Sequence, residues 1–211
     1  FVISIDGPAA SGKGSLARNL ASHLDFDFLD TGALYRRVAL NLIENEVNLD
    51  NKDDIIAKTA EFIPKLYEEY DDLALRNDIV VILASIRAQI PEIRALLFDV
   101  QQMFTKNAQN GAVIDGRDIG TVICPDADLK LYITASTEKR AERRHKELQS
   151  RGLDVKYDAV LAEMQERDER DNVRLKDHLA PEVKNHMIDT SDMSPEEVFQ
   201  KALDLYSSSS R

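Results

Sequence analysis

The sequence is poor in several features, and each shortage argues against a class of protein. Its 211 residues include one cysteine, Cys124, and no tryptophan. A single cysteine cannot form an internal disulfide framework, which favours a reducing compartment such as the cytoplasm. No apolar run approaches the roughly 20 residues of a membrane-spanning helix, and no charged-then-apolar leader opens the chain. We expect a cytoplasmic protein without a membrane partner, and native residues before Phe1, which already lies in a predicted strand.

Positive charge is also in short supply, with 27 lysines and arginines against 38 aspartates and glutamates, a net charge of −11. A negative field disfavours broad, sequence-independent binding to nucleic acid. The four histidines show no spacing typical of metal ligands. Arginines are nevertheless concentrated between positions 140 and 174, which suits a small phosphorylated ligand: Arg140, Arg143, Arg144, Arg151, Arg167, Arg170 and Arg174.

Apolar runs of strand length alternate with segments of helical periodicity. Residues 1–5 and 111–115 are apolar enough for strands buried on both faces. A capping box at Ser194–Glu197 predicts the start of the last helix. The alternation predicts an α/β fold with a parallel sheet covered by helices on both faces. We expect a single domain with a core at about 1–30, 110–135 and 185–206, and inserted segments at about 31–108 and 137–156.

A glycine-rich segment directly follows the first predicted strand, and it reads Gly7-Pro8-Ala9-Ala10-Ser11-Gly12-Lys13-Gly14-Ser15. Glycines allow successive backbone N–H groups to face one anion, and the N-terminus of the following helix adds partial positive charge. Lys13 supplies a mobile cation for the β- and γ-phosphates of ATP, and a nearby hydroxyl binds Mg²⁺. That hydroxyl comes one position late, at Ser15, a form typical of nucleoside monophosphate kinases. We predict an ATP-binding phosphate loop.

A second short motif points to a different class. Asn51-Lys52-Asp53-Asp54 matches the N-K-x-D pattern with which GTPases read guanine. That pattern belongs at the end of a late buried strand, whereas here it lies between two early predicted helices. The sequence also has no apolar run ending in Asp-Glu, which would mark an ATP-driven motor. We interpret the match as coincidence and expect a small-molecule kinase.

Phosphoryl transfer between two anions needs cations at the acceptor, because the two groups repel each other. Residues 30–36 and 115–121 each place an arginine at the carboxyl end of a predicted strand, where parallel sheets bind ligands. The helical segment 167–174 adds Arg167, Asp171 and Arg174 on one face. These residues predict an acceptor that carries a phosphate.

Together these segments resemble one family, the bacterial-type cytidylate kinases, which transfer the γ-phosphoryl group of ATP to CMP or dCMP. The matching stretches occur in the family's order over nearly the whole chain: IDGPAASGKGS, FLDTGALYR, VIDGRDIGTVICPDADLKLYITAS, RAERRHKEL and ERDERDNVR. The resemblance implies a P-loop NTP hydrolase-like parallel sheet of about five strands in the order 2-3-1-4-5. It also implies an ATP-dependent (d)CMP kinase of pyrimidine nucleotide metabolism. The sequence predicts neither a long heptad repeat nor an exposed apolar surface that a partner chain would cover, so we expect a monomer.

The resemblance further implies roles for individual residues. The phosphates of ATP are expected on residues 7–15, under a lid at about 137–156 in which Arg140 and Arg144 contact ATP. Lys13, Arg117 and Arg174 are the expected catalytic residues, and Ser15 is expected to hold Mg²⁺ with Asp115 acting through water. The acceptor is expected to contact Thr31, Arg36, Ser85, Arg94, Arg117, Asp118, Arg167, Asp171 and Arg174. Of these, Ser85, Arg94 and Asp118 are expected to read the cytosine edge.

Three stretches depart from the family pattern. Residues 66–84 are too short for the small β-sheet that many members insert there, Arg87 is unusual, and residues 175–179 are less apolar. Two alternatives stay open at this point. One is a kinase for another acceptor, such as UMP, AMP or a phosphate-free compound like shikimate. The several arginines disfavour an acceptor without a phosphate. The other is a nucleotide-binding regulator without catalysis, which the acceptor arginines and the lid disfavour.

Overall fold

A computed structural model describes residues 1–68, 71–175 and 186–210, without the side chains of residues 72, 174 and 175. The chain divides into two compact units. One is formed by Phe1–Leu29 together with Asn107–Arg211, and the other by Asp30–Lys106. In the described part of the chain, no helix is both long and apolar enough to cross a membrane.

The strands form one sheet of five, and they are β1 (Val2–Asp6), β2 (Asp27–Asp30), β3 (Ala112–Gly116), β4 (Leu129–Thr134) and β5 (His186–Asp189). Their order is β2-β3-β1-β4-β5. β1 runs parallel to β3 and to β4, and β4 runs parallel to β5. The predicted parallel sheet and its strand order 2-3-1-4-5 are therefore confirmed.

The helices are α1 (Lys13–Leu24), α2 (Thr31–Glu44), α3 (Lys52–Phe62), α4 (Asp72–Leu75), α5 (Asp78–Arg87), α6 (Pro91–Asn107), α7 (Thr137–Ser150), α8 (Tyr157–Leu175) and α9 (Pro195–Ser209). A short 3₁₀ turn covers Ile63–Lys65, and a π-helical turn covers Ile119–Ile123. The predicted capping box is confirmed, since Ser194 and Glu197 exchange hydrogen bonds at the start of α9. Burying the apolar face of such helices, more than their intrinsic propensity, keeps them folded.

The core of the first unit joins the sheet to α1 and α9. Its fully buried side chains include Ile3, Ile5, Leu20, Leu131, Ile133 and Ile188. The register pairs the last residue of β1, Asp6, with Gly116 on one side and Tyr132 on the other. Because these strands are parallel, the segments that follow them leave the sheet at one edge. The phosphate loop, Arg117 and the start of α7 therefore share that edge.

The second unit is helical in its described residues. α2 packs against α4 and α5 around a small core: Ala39, Leu40, Leu75, Val80, Leu83 and Ala84. The unusual Arg87 donates a hydrogen bond to the carbonyl of Leu49 at 2.9 Å. Asn51 caps α3, accepting from the N–H groups of Asp53 and Asp54. The N-K-x-D match therefore has a structural explanation as a helix start.

Candidate active site

The phosphate loop, residues 7–15, connects β1 to α1, and its first six residues lie between the two elements. Gly7 and Gly12 have φ angles of 151° and 91°. A Cβ atom on Gly7 would lie 2.0 Å from the carbonyl oxygen of Ile133, inside van der Waals contact. Gly12 precedes the first residue of α1. The predicted glycine loop between a strand and a helix is confirmed.

Lys13 lies beside a carboxylate from a neighbouring strand. Its Nζ atom is 3.6 Å from Oδ1 of Asp115, a buried residue of β3. A Cβ atom on Gly14 would lie only 3.0 Å from Oδ2 of the same carboxylate. The glycine between Lys13 and Ser15 therefore gives Asp115 the room to approach the start of α1. Ser15 is exposed there.

Arg117 links the phosphate loop to α8. Its Nε donates to Oδ2 of Asp171 at 2.9 Å, and its Nη1 donates to the carbonyl of Gly7 at 2.8 Å. Burial lowers the pKa of Arg117, but the carboxylates of Asp171, Asp115 and Asp6 more than offset this, so the pKa lies above its usual value. The guanidinium therefore stays charged. Two residues expected at the acceptor are thus in direct contact.

Asp6 holds the segment that follows β3. Its two carboxylate oxygens accept hydrogen bonds from the N–H groups of Ile119 and Gly120, each at 2.8 Å. Burial raises the pKa of Asp6 to about 7, although these two donors oppose the rise. Asp118, expected to read the acceptor base, is buried just before this segment. No motif predicts a role for Asp6. Its position, an acidic residue at the end of an apolar strand, could have marked it as a candidate site residue.

Arg140, expected to contact ATP, is buried and donates all its N–H groups within the protein. Its Nη1 and Nη2 atoms bind the two oxygens of Asp168 on α8, at 3.0 and 2.6 Å. Nη1 also donates to the carbonyl of Ala9 in the phosphate loop at 3.3 Å. Nε and Nη2 reach the carbonyl of Ala135 at 3.0 Å and Oγ1 of Thr137 at 2.9 Å. The contact of Arg140 with ATP stays a prediction.

Arg143, one turn further along α7, binds another carbonyl of the loop. Its Nη1 donates to the carbonyl of Ser11 at 3.3 Å and to Oγ1 of Thr190 at 3.0 Å. Its Nη2 donates to the carbonyl of Thr190 at 2.6 Å. Oγ1 of Thr190 lies 3.0 Å from the same Ser11 carbonyl. Neither Thr190 nor Asp168 was predicted as a site residue, and no motif marks Thr190.

Two cavities open beside the phosphate loop in the first unit. One, of about 420 Å³, is lined by residues including Ser11, Gly12, Ser15, Leu16, Arg143, Arg144, Glu147, Thr190, Met193, Pro195 and Val198. Arg144 donates there to Glu147 at 2.8 Å. The other, of about 260 Å³, is lined by Gly7, Pro8, Arg117, Tyr132, Thr137, Arg140, Asp168, Asp171 and Asn172. The structure thus brings Arg117, Asp171 and the beginning of the loop to one cavity.

Arg36, expected at the acceptor phosphate, lies in the second unit. Its Nη2 donates to Oδ2 of Asp30 at 2.8 Å, while Oδ1 of Asp30 accepts from the N–H of Ala33 at 3.0 Å and caps α2. A Cβ atom on Gly32 would lie 2.9 Å from Nη1 of Arg36. Gly32 therefore leaves space for the guanidinium. Three further expected residues lie in this unit, Thr31 and Ser85 buried and Arg94 half-buried.

The last two expected acceptor residues lie on α8. Arg167 is half-buried. The side chain of Arg174, expected to be catalytic, lies outside the described residues, as does most of the divergent stretch 175–179. Within the described ranges, no group of three or more His, Cys, Asp and Glu residues is placed to hold a metal ion.

Known proteins are similar to this chain over most or nearly all of its length. The family model described as cytidylate kinase matches residues 3–208. A cytidylate kinase of Paramagnetospirillum magneticum is 49% identical, with 98% of each chain covered. A cytidylate kinase of Methylobacterium sp. is 52% identical over 81% of this chain and 80% of its own length.

Among solved structures, a thymidylate kinase from Candida albicans superposes with a TM-score of 0.50 and 13% identity, covering 98% of this chain and 91% of its own. At this identity the likeness concerns the fold, and it agrees with the observed strand order. The match over residues 3–208 and the identity to relatives over almost the full length lead to one conclusion, that this chain belongs to the cytidylate kinase family.

Proposed function

We propose that this chain transfers the γ-phosphoryl group of ATP to CMP or dCMP, giving ADP and CDP or dCDP. The observation that carries the proposal is the gathering of Lys13 and Arg117 at one edge of the sheet, each beside a carboxylate and both at the phosphate loop. The names of the relatives support a cytidine nucleotide as the acceptor. Transfer is direct, from one phosphate to another.

The donor ATP lies with its phosphates on residues 7–15. Lys13 reaches the β- and γ-phosphates, and the N-terminus of α1 adds partial positive charge. The base of ATP fits the cavity of about 420 Å³, whose lining includes the apolar Met193, Pro195 and Val198. Arg144 also lines that cavity, which supports a contact of this arginine with the nucleotide.

A divalent cation fits this site if it arrives with the nucleotide. Ser15 offers an exposed hydroxyl, and Asp115 offers a buried carboxylate 3.6 Å from Lys13 Nζ. No described cluster of three or more acidic, His or Cys residues exists to hold a metal alone, so phosphates and waters would supply most ligands, as is usual for Mg²⁺. When bound, Mg²⁺ supplies positive charge to the β- and γ-phosphates.

The acceptor phosphate is already a nucleophile, so the chain needs no strong general base. Arg117 is suited to bind the acceptor phosphate, because a guanidinium group can bind two phosphate oxygens at once. Despite burial, the nearby carboxylates raise its pKa, so Arg117 stays positively charged. Arg36 and Arg174 add charge, and Arg167 and Asp171 address the ribose. Ser85, Arg94 and Asp118 read the cytosine edge, where each buried group left unpaired by a wrong base costs about 1–3 kcal/mol.

Steady-state rates of ADP formation with CMP, dCMP, UMP and AMP test this proposal. We expect turnover with CMP and dCMP to exceed turnover with UMP and AMP. Lys13→Met should remove most of kcat, because the loop loses its cation, whereas Lys201→Met, which changes an exposed lysine of α9, should leave kcat unchanged. A preference for AMP would contradict the cytosine assignment.

The same assay, with shikimate added as a further acceptor, separates the other candidate functions. A nucleotide-binding regulator would bind ATP but form no ADP when CMP is added. A kinase of a neutral acceptor would turn over shikimate and ignore nucleoside monophosphates. The monomeric state, the cytoplasmic location and the lack of a nucleic-acid partner stay predictions from composition.

A further inference from the structure

Alternate carbonyl groups of the phosphate loop each accept a hydrogen bond from a different arginine. The pairs are Gly7 with Arg117 at 2.8 Å, Ala9 with Arg140 at 3.3 Å and Ser11 with Arg143 at 3.3 Å. These three arginines come from two segments of the chain, the end of β3 and α7. Arginine side chains therefore bind carbonyl groups at the beginning, in the middle and near the end of the segment between β1 and α1.

The planarity of the peptide bond links each of these carbonyls to the next N–H group. In a trans peptide, the C=O of one residue and the N–H of the following residue point in opposite directions, and the described chain contains no cis peptide. When Arg140 binds the carbonyl of Ala9, the N–H of Ala10 therefore points away from Arg140. Arg143 on the carbonyl of Ser11 has the same effect on the N–H of Gly12.

We propose that Arg140 and Arg143 are positioning residues, which fix the loop carbonyls and thereby aim the N–H groups of Ala10 and Gly12 at the phosphates of the nucleotide. Asp168 and Thr190 complete this arrangement, called here the arginine brace, because they hold the two arginines in place. The proposal rests on the proposed function only in taking residues 7–15 as the phosphate-binding loop.

Arg140 has no N–H group left over for a phosphate. A guanidinium carries five N–H donors, and the five hydrogen bonds of Arg140 go to Ala9, Ala135, Thr137 and both oxygens of Asp168. Its side chain is 5% exposed. A direct contact with ATP would require it to leave a buried bidentate partner, which is costly. The brace assigns Arg140 to the loop instead.

The backbone of the loop supports the same conclusion. Ala10 has a φ of 58°, a left-handed conformation that is strained for a residue with a Cβ atom. Such strain persists only where the surroundings hold the neighbouring peptides. Arg140 and Arg143 bind the carbonyls of Ala9 and Ser11, the residues on either side of Ala10. The brace therefore holds the strained residue from both sides.

Titration calorimetry with ATP, ADP and CMP tests the brace with Arg140→Lys, Asp168→Asn and the double variant. The proposal expects each single variant to weaken ATP and ADP alike, by about tenfold, because both nucleotides use the same backbone N–H groups. The affinity for CMP should change by less than about twofold. The double variant should lose little more than either single variant, since both changes break one hydrogen-bonded unit.

Direct contact between Arg140 and the γ-phosphate predicts the opposite for Asp168→Asn. Removing the carboxylate would free Arg140, so ATP would bind as tightly as in the wild type or more tightly, and Arg140→Lys would weaken ATP but not ADP. That pattern overturns the brace, and so does unchanged nucleotide binding in all variants. Matched controls are Glu166→Gln, an exposed residue of α8, and Arg76→Lys, at an exposed position of the second unit.

The Arg143 half of the brace offers an independent test if the Arg140 or Asp168 variants do not fold. Thr190→Val keeps the shape of the side chain and removes the hydroxyl, which accepts from Arg143 and lies within hydrogen-bond distance of the carbonyls of Ser11 and Thr134. We expect ATP and ADP to bind about fivefold more weakly, while Thr190→Ser, which keeps the hydroxyl, restores affinity. Equal binding by Thr190→Val and the wild type overturns this half. These measurements need no turnover, so loss of CMP kinase activity in the wild type would contradict the proposed function and leave the brace testable.

Discussion

Nζ of Lys13 lies 3.6 Å from Oδ1 of Asp115, and a Cβ atom on the neighbouring Gly14 would lie 3.0 Å from the other oxygen of the same carboxylate. Lys13 is the first residue of helix α1 and Asp115 belongs to strand β3, so the two residues meet from segments that are far apart in the sequence. The carboxylate keeps the lysine near the loop before any phosphate arrives. This arrangement favours glycine at the position between Lys13 and Ser15, because a side chain there would crowd the Asp115 carboxylate.

Gly14→Ala should therefore lower activity through Asp115. The added methyl group would lie about 3.0 Å from Oδ2 of Asp115 and push the carboxylate, and with it Lys13, out of place. Small misplacements near the reacting atoms are costly, so we expect kcat to fall by about tenfold or more, with little loss of thermal stability. Steady-state kinetics and melting temperature check this, and full kcat in Gly14→Ala would contradict it.

Asp6 should make folding stability depend on pH. Its pKa rises from an ordinary value of 3.8 to about 7 in the folded protein. Between these values the folded state keeps a proton that the unfolded chain has released, so its stability contribution is complete below pH 3.8 and is lost as pH rises towards 7. Urea unfolding at pH 5 and pH 8 measures the loss.

Asp6→Asn isolates this effect, because the amide does not titrate. We expect the free energy of unfolding to fall less between pH 5 and pH 8 in the variant than in the wild type. The variant should also be less stable at pH 5, since its NH₂ group faces one of the two backbone donors, Ile119 and Gly120. The same pH slope in both proteins would contradict the raised pKa of Asp6.

The sheet was predictable because its determinants are local in the sequence. Buried strands are apolar runs, and the capping box at Ser194–Glu197 is readable within four residues. The partners of Arg140 were not predictable in this way, because Ala9 and Asp168 lie far from it in sequence and meet it only through the packing of α7 and α8 on the sheet. The family resemblance predicted Arg140 at the nucleotide, but it could not indicate that all N–H groups of this side chain are bound within the protein.

Ala10→Gly should stabilise the protein slightly. A left-handed conformation costs a residue with a Cβ atom about 1–2 kcal/mol, and glycine removes this strain. The greater freedom of glycine in the unfolded chain offsets about 0.5–1 kcal/mol of the stabilisation. We expect the free energy of unfolding to rise by about 0.5 kcal/mol in urea titrations. The same change at Ala162, exposed within α8, should lower it by about 1 kcal/mol. A loss at both positions would contradict the strain at Ala10.

Asp30 gives a test of acceptor binding within the second unit. One oxygen caps α2 and the other pairs with Arg36, so Asp30→Asn can keep the cap while it removes the ion pair. Arg36 would then be held less firmly for the acceptor phosphate, and we expect KM for CMP to rise by about fivefold with KM for ATP unchanged. Asp30→Ala should add a loss of about 1 kcal/mol of stability, because the cap is lost as well. Asp50→Asn, at an exposed position of the same unit, is the control, and an unchanged KM for CMP in Asp30→Asn would show that this ion pair does not prepare Arg36 for the acceptor.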